Sequence, residues 1–215
     1  MTRDAVVGVI LAGGRGSRLG GVDKALVDLG GEPLIAHGIR RLQPQVAALL
    51  INANGDAQRF RQFGLPVVPD ENQASRAGPL GGLLAGMRAT SSLVPDTKWL
   101  VSLPCDTPFP PADLVEQLLR CAGDALVMRA ASGGRVHHLV AAWRLSLFRD
   151  LEQAIASGMR KVAAWVSRHE PHVGTVEFPT EPFDPFFNIN RPEDLRQAAL
   201  ILSSQPERQS PVRSG

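Results

Sequence analysis

The chain has few of the features that would place it outside the cytoplasm, in a membrane or on nucleic acid. Its 215 residues include two cysteines, Cys105 and Cys121, which supply neither a disulfide framework nor a zinc-ligand set. A reduced, cytoplasmic setting is the expectation. No apolar run approaches the roughly 18 residues of a membrane span. Met1-Thr-Arg-Asp4 leads directly into an apolar run, which leaves no room for a secretory leader. The net charge is +2 and the arginines are scattered, so there is no basic stripe for nucleic acid. There is no internal repeat and no low-complexity block. The serines and histidines form no recognisable nucleophile triad, and no carboxylate pair has the spacing of a glycosidase motif. Neither a His-x3-His nor a Cys-x2-Cys metal pair occurs.

What remains is an ordinary globular composition, 44% hydrophobic and 20% charged. The length allows one sizeable core, and length alone suggests one or two domains. No linker divides the chain, so one domain is expected over residues 1–202. Residues 203–215 are polar, contain proline and lack periodicity, and read as a disordered tail.

Short apolar runs alternate with segments of helical periodicity, the pattern of α/β folds. Strands are expected at residues 6–11, 46–51, 66–68, 99–103, 125–129, 139–143 and 173–178. Helices are expected at 33–42, 57–63, 80–89, 112–120, 146–156, 160–168 and 192–202. Parallel strands joined by helices bind ligands at their carboxyl ends. Four candidates fall at such ends: the loop after the first strand, Asn52, Asp70 and Asp106.

That first loop is the richest segment: Leu11-Ala-Gly-Gly-Arg-Gly-Ser-Arg-Leu-Gly-Gly-Val-Asp-Lys-Ala-Leu26. Glycines let backbone N–H groups close around a bulky anion. Arg15, Arg18 and Lys24 add the positive charges that a polyphosphate requires. The P-loop pattern fails, because Lys24 follows Asp23 and precedes Ala25. The dinucleotide fingerprint fails too: counted from Gly14, its third glycine falls on Leu19.

The loop resembles the signature of nucleotidyltransferases with a glycosyltransferase-A-like fold, L-A-G-G-x-x-x-R-[LM]-G-x-x-K. Its Gly20-Gly21-Val22-Asp23-Lys24 ending is most similar to the molybdenum cofactor guanylyltransferases. Leu103-Pro-Cys-Asp-Thr-Pro108 resembles the metal-binding segment of that family. Asn52-Ala-Asn54, Asp70 with Gly78-Pro-Leu-Gly-Gly82, and Phe187-Asn-Ile-Asn-Arg-Pro-Glu-Asp-Leu195 extend the likeness over about residues 8–200. It departs at Gly81, where the family has alanine. It departs again at Leu139, which follows His138 where proline is usual.

The resemblance implies a three-layer α/β/α sandwich with a mostly parallel, mixed sheet, a Rossmann-type fold like that of the nucleotide-diphospho-sugar transferases. It implies transfer of GMP from GTP to the terminal phosphate of molybdenum-bearing molybdopterin, with pyrophosphate released and Mg2+ as cofactor. Leu11, Ala12, Gly13 and Gly14 would wrap the phosphates. Arg15 and Arg18 would brace the β- and γ-phosphates, and Lys24 would reach them as a point charge. Asn52, Asp70 and Gly78 would face the nucleoside. Asp106 would hold the metal, and Asn188 and Asn190, alternating on a short strand, would orient the acceptor phosphate or a metal-bound water. Lys24, Arg18 and Asp106 are thus the candidate catalytic groups, and His138 is an acceptor-side candidate.

Each residue has a plainer alternative: a solvated lysine or arginine, a turn-capping aspartate or asparagine, or a glycine needed for packing. Three other functions stay open. The first is a cytidylyltransferase on the same pterin or a sugar-1-phosphate nucleotidyltransferase. The others are a non-catalytic nucleotide binder and, against the failed fingerprint, a nicotinamide oxidoreductase. A monomer is expected, with transient contacts to other proteins of molybdenum cofactor biosynthesis, and no contact with nucleic acid or membrane.

Overall fold

The computed structural model describes residues 6–13, 23–71 and 77–204. The expectations on residues 1–4, Gly14, Arg15, Arg18, Gly20 and Gly21, and on residues 205–215, lie outside the described residues.

The first strand, β1 (Val6–Leu11), is buried at every position. Such a run, without polar alternation, marks a strand covered on both faces. The side chains divide as the pleat requires. Val6 and Ile10 join the core beneath α1 (Leu34–Leu42) and α3 (Leu114–Arg120). Val7, Val9 and Leu11 join the core beneath α2 (Pro79–Leu93), α4 (Phe148–Ala156) and α5 (Val162–Val166). Gly8 permits close packing, since a Cβ there would lie 2.7 Å from Leu49 Cδ1. Truncating a buried leucine in either core, Leu83 or Leu118 for example, costs ~2–5 kcal/mol.

The remaining strands are β2 (Asp28–Leu29), β3 (Glu32–Pro33), β4 (Ala48–Asn52), β5 (Val67–Val68), β6 (Trp99–Pro104), β7 (Val127–Ser132), β8 (Arg135–Arg144) and β9 (Val173–Phe178). The main sheet has seven strands in the order β5-β4-β1-β6-β8-β7-β9. β8 alone runs against the others. The architecture is the expected three-layer α/β/α sandwich with a mostly parallel, mixed sheet. Among the described residues no helix is long and apolar enough to cross a membrane.

Several local expectations need correction. The strands read at 125–129 and 139–143 are two arms of one long antiparallel hairpin. Its two-residue link, Gly133 and Gly134, has φ of +55° and +76°, the left-handed pair that suits the twist of a tight hairpin. The register shifts on β8, where Arg129 pairs with Ala141 but Ala130 pairs with His137. His137 and His138 therefore lie within a strand. The helix read at 80–89 runs from Pro79 to Leu93, and residues 57–63 wind as a tighter 3-10 helix. The segment carrying Asn188 and Asn190 is irregular, not a strand. The closing helix α6 (Pro192–Ser204) includes Ser203 and Ser204, two residues beyond the expected domain end.

α6 docks through a third apolar group, Leu29, Leu34, Phe109, Ile189 and Ala198. This packing brings the chain near residue 190 back to the segment after β6.

Candidate active site

The carboxyl ends of β1, β4, β5 and β6 lie side by side, and backbone bonds continue past the strands. Ala12 N–H donates to Asn52 O at 2.8 Å, Ala53 N–H to Val68 O at 3.1 Å, and Cys105 N–H to Leu11 O at 3.1 Å. Leu11, Ala12 and Gly13 thus leave the sheet between the ends of β4 and β6.

On the β4–β5 side, three polar residues hold one another. Asn52 is 2% exposed and donates both amide hydrogens, to Val68 O at 3.1 Å and to Asp70 Oδ1 at 2.8 Å. Asn54 donates to Asp70 Oδ2 at 2.8 Å and accepts from Asp70 N–H at 2.8 Å. Two glycines make room for this group. A Cβ on Gly82 would lie 2.2 Å from Asn52 Oδ1, and one on Gly13 would lie 3.2 Å from it. Gly82 therefore lets α2 approach the sheet at the strand ends, and Gly78, with φ of +59°, turns the chain into that helix.

On the β1–β6 side, residues distant in sequence form a closed cycle. The Lys24 ammonium donates to Asp106 Oδ2, forming an ion pair, and to Asn190 Oδ1 at 3.0 Å. Asn188 Nδ2 donates to Asp106 Oδ1 at 2.7 Å, and Asn190 Nδ2 donates to Asn188 Oδ1. Lys24 and Asp106 are 19% and 17% exposed at their side chains, so water screens the pair only partly.

Each member is held from behind. Ile189 N–H donates to Asp106 O at 3.0 Å. Asp194, in the first turn of α6, accepts from Asn190 N–H at 2.7 Å and Arg191 N–H at 2.8 Å, as the carboxylate of a capping box does. Asp23 caps the short 24–26 turn by accepting from Ala25 N–H at 3.1 Å. The neighbouring Cys105 is buried, and burial pushes its thiol up, so it stays protonated.

A second polar chain steadies the approach to Asn188. Ser132 donates its hydroxyl to Asp184 Oδ1 at 2.7 Å, and that carboxylate oxygen also accepts from Phe186 N–H at 2.9 Å. His137 Nε2 lies 2.8 Å from the same hydroxyl. The serine proton is given to the carboxylate, so Nε2–H of His137 is the donor. Burial draws His137 and His138 below their ordinary pKa values, most of all through lost solvation.

Asp106 is a single carboxylate. Among the described residues no group of three or more His, Cys, Asp or Glu side chains forms a metal cage. That arrangement fits Mg2+, which commonly takes one or two carboxylates and fills its shell with substrate phosphates and water.

The structure thus brings Lys24, Asp106, Asn188 and Asn190 into direct contact, and places Leu11, Ala12, Gly13, Asn52, Asp70 and Gly78 around the adjoining strand ends. His138 stands apart from both groups, and no described contact joins it to them. Asp23, Asn54, Arg59, Asp184 and Asp194 support the site although the sequence assigns none of them a role; Asp23, Asn54 and Asp194 lie inside the matched motifs. Asp194 carries a signal, an acidic residue three positions after Arg191 at a helix start.

Residues 8–173 match the MobA-like NTP transferase domain. The chain belongs to the MobA-like NTP transferase family. This membership makes it a nucleotidyltransferase. It is 44% identical over 200 residues to the molybdenum cofactor guanylyltransferase of Rhodopseudomonas palustris strain BisB5, covering 92% of this chain and 94% of the relative. It is 44% identical to that of Cereibacter sphaeroides, with 91% and 96% covered. Among solved structures, molybdopterin-guanine dinucleotide biosynthesis protein A from Archaeoglobus fulgidus superposes with a TM-score of 0.71 at 26% identity, over 93% of this chain and all of that one. The 2-C-methyl-D-erythritol 4-phosphate cytidylyltransferase of Thermus thermophilus shares the fold, with a TM-score of 0.68 at 17% identity, over 91% and 98% of the two chains.

Proposed function

We propose that the protein transfers GMP from GTP to molybdenum-bearing molybdopterin, with Mg2+ held by Asp106 and the substrate phosphates. A terminal phosphate oxygen of the pterin attacks the α-phosphorus of GTP. The bond from that phosphorus to the bridging oxygen breaks, and pyrophosphate leaves. Such a displacement depends on in-line positioning and charge neutralisation more than on covalent help from the protein.

The observation that carries this reading is the Lys24–Asp106–Asn188–Asn190 cycle at the strand ends. It gathers one cation and one carboxylate at the strand ends, which supports a reading in which the nucleotide's phosphates pass there. Lys24 exchanges its carboxylate partner for phosphate oxygens, and the backbone of Gly13, where the chain leaves the sheet, faces the leaving pyrophosphate. Asp106, once freed, would hold Mg2+, and the ion would supply charge neutralisation at the reacting phosphates. Asn188 and Asn190 keep hydrogen-bonding capacity beside Asp106 and orient the acceptor phosphate. The Asn52–Asn54–Asp70 group fixes the loop and helix edge against which the nucleoside rests. The protein acts in the cytoplasm as a monomer, with transient contacts to proteins that deliver or receive the cofactor.

The test is turnover with molybdenum-loaded molybdopterin and each of GTP, CTP and ATP, following the dinucleotide and pyrophosphate. GTP-dependent product is expected. A preference for CTP would leave the site reading intact and replace the guanylyl assignment with a cytidylyl one.

A further inference from the structure

Arg59 joins the two sides of the nucleotide site. It lies on the 3-10 helix at Ala57–Phe63, which follows β4 on the nucleoside side. All three guanidinium nitrogens are engaged. Nη2 donates to Asn54 O at 2.7 Å, Nη1 donates to Asp56 O, and Nε donates to Asp23 Oδ2 at 2.7 Å. Gly55, with φ of +84°, turns the chain between the two carbonyls that receive the fork. The guanidinium also lies 4.5 Å from the Phe60 ring centroid.

Asp23 is held at both oxygens. Oδ2 accepts from Arg59 and Oδ1 from Ala25 N–H at 3.1 Å. Leu26 N–H donates to Asp23 O at 2.9 Å. The backbone of Lys24 thus sits inside a turn whose first residue is clamped to the nucleoside-side loop. An isolated exposed ion pair would carry little weight. This pair is about three-quarters covered, with side-chain exposures of 25% and 27%, and its arginine is locked in a fork that lysine cannot reproduce.

We infer that Arg59 is a positioning residue for Lys24. It acts through Asp23, fixing how far the lysine's Cα stands from the Asn52–Asp70 group and therefore where its flexible stem can deliver the ammonium along the phosphates. The inference deepens the nucleotidyl-transfer reading and rests on it.

Four proteins test it: wild type, Arg59→Ala, Lys24→Ala and the double variant. Each is assayed for kcat/KM for GTP in the presence of Mg2+ and molybdenum-loaded molybdopterin, and for melting temperature. A displaced reacting group costs up to ~100-fold, so Arg59→Ala should lower kcat/KM by ~10- to 100-fold. In the Lys24→Ala background the same change should alter kcat/KM by less than about twofold, because both residues serve one interaction. Asp23→Asn should reproduce the Arg59→Ala loss, which keeps the test decisive if Arg59→Ala folds poorly. Arg59→Lys should recover little of it.

The same fold-loss in both backgrounds, or full recovery by Arg59→Lys, would overturn the positioning role while leaving GTP turnover intact. A wild-type protein that takes no nucleoside triphosphate would instead overturn the functional reading, and this inference with it.

Discussion

The two halves of the site are built differently. On the nucleoside side, one carboxylate and two amides lie within 18 positions of each other in sequence and use their hydrogen bonds among themselves. They are packed beneath a helix that only glycine allows so close. On the phosphate side, Lys24 meets partners 82 and 166 positions away, and the contact is an ion pair between groups still open to water. The first arrangement is a scaffold, since breaking it leaves buried polar atoms unmatched. The second is exchangeable, because each charged partner can trade the other for a phosphate or a metal cation of the same sign. In the proposed mechanism the nucleotide meets a fixed wall at one end and a replaceable ion pair at the other.

Substitutions should separate the two halves. The largest effect is expected at Asp106→Ala, which removes the carboxylate of the exchangeable pair. Transfer should fall by ~10²- to 10³-fold, the scale seen when one charge-stabilising group is lost, while circular dichroism stays that of a folded protein. Near-normal turnover in a folded Asp106→Ala protein would remove this residue from the mechanism. Lys24→Ala should come next, with GTP affinity weakened by ~10- to 100-fold, about 1.4 kcal/mol per decade, as isothermal titration would measure. Unchanged kinetics would exclude Lys24 from the phosphates.

On the scaffold side the losses should appear as stability first. Gly82→Ala puts a carbon 2.2 Å from Asn52 Oδ1, an overpacking that costs ~1–3 kcal/mol and should lower the melting temperature before it alters kcat. Full stability in Gly82→Ala would mean that the wall can yield. Asp70→Asn leaves the Asn52 and Asn54 donors short of an acceptor and should cost ~1–3 kcal/mol in denaturant unfolding. No loss there would contradict the scaffold role.

The smallest effect concerns pH. His37 is buried against Leu29 O at 2.9 Å, and burial draws its pKa below 6.5. The unfolded chain then takes up a proton before the folded one does. Stability is full above about pH 6.5 and falls as pH drops through the window below it. Replacing His37 with Gln should flatten that acid-side fall in melting temperature, and an unaltered slope would assign the fall to other groups.

Much of this is legible in the sequence, and the limits have physical causes. The strand at Val6–Leu11 and the loop after it can be read because an unbroken apolar run has few other uses and the glycine-rich, basic loop needs no partner to be recognised. Asn52, Asp70 and Asp106 can be placed at strand ends because parallel α/β topology gathers such ends on one edge. The β7–β8 hairpin escapes the sequence reading because the register shift interrupts strict alternation, which hides Gly133-Gly134 as a turn between paired strands. Arg59 leaves no local trace, since its importance comes from a carboxylate 36 positions earlier. The Lys24–Asp106 pair is also invisible there: the motifs assign one residue to phosphate and the other to metal, and only the folded chain shows each neutralising the other.

The most direct measurement is isothermal titration of the wild-type protein and Asp106→Ala with GTP, CTP and ATP, each with Mg2+, followed by turnover with molybdenum-loaded molybdopterin. Selective GTP binding that weakens in Asp106→Ala, together with a guanine dinucleotide product from the wild type alone, is the expected result. Equal binding by both proteins, or a product made as readily by Asp106→Ala, would contradict the exchangeable pair at the centre of the proposed mechanism.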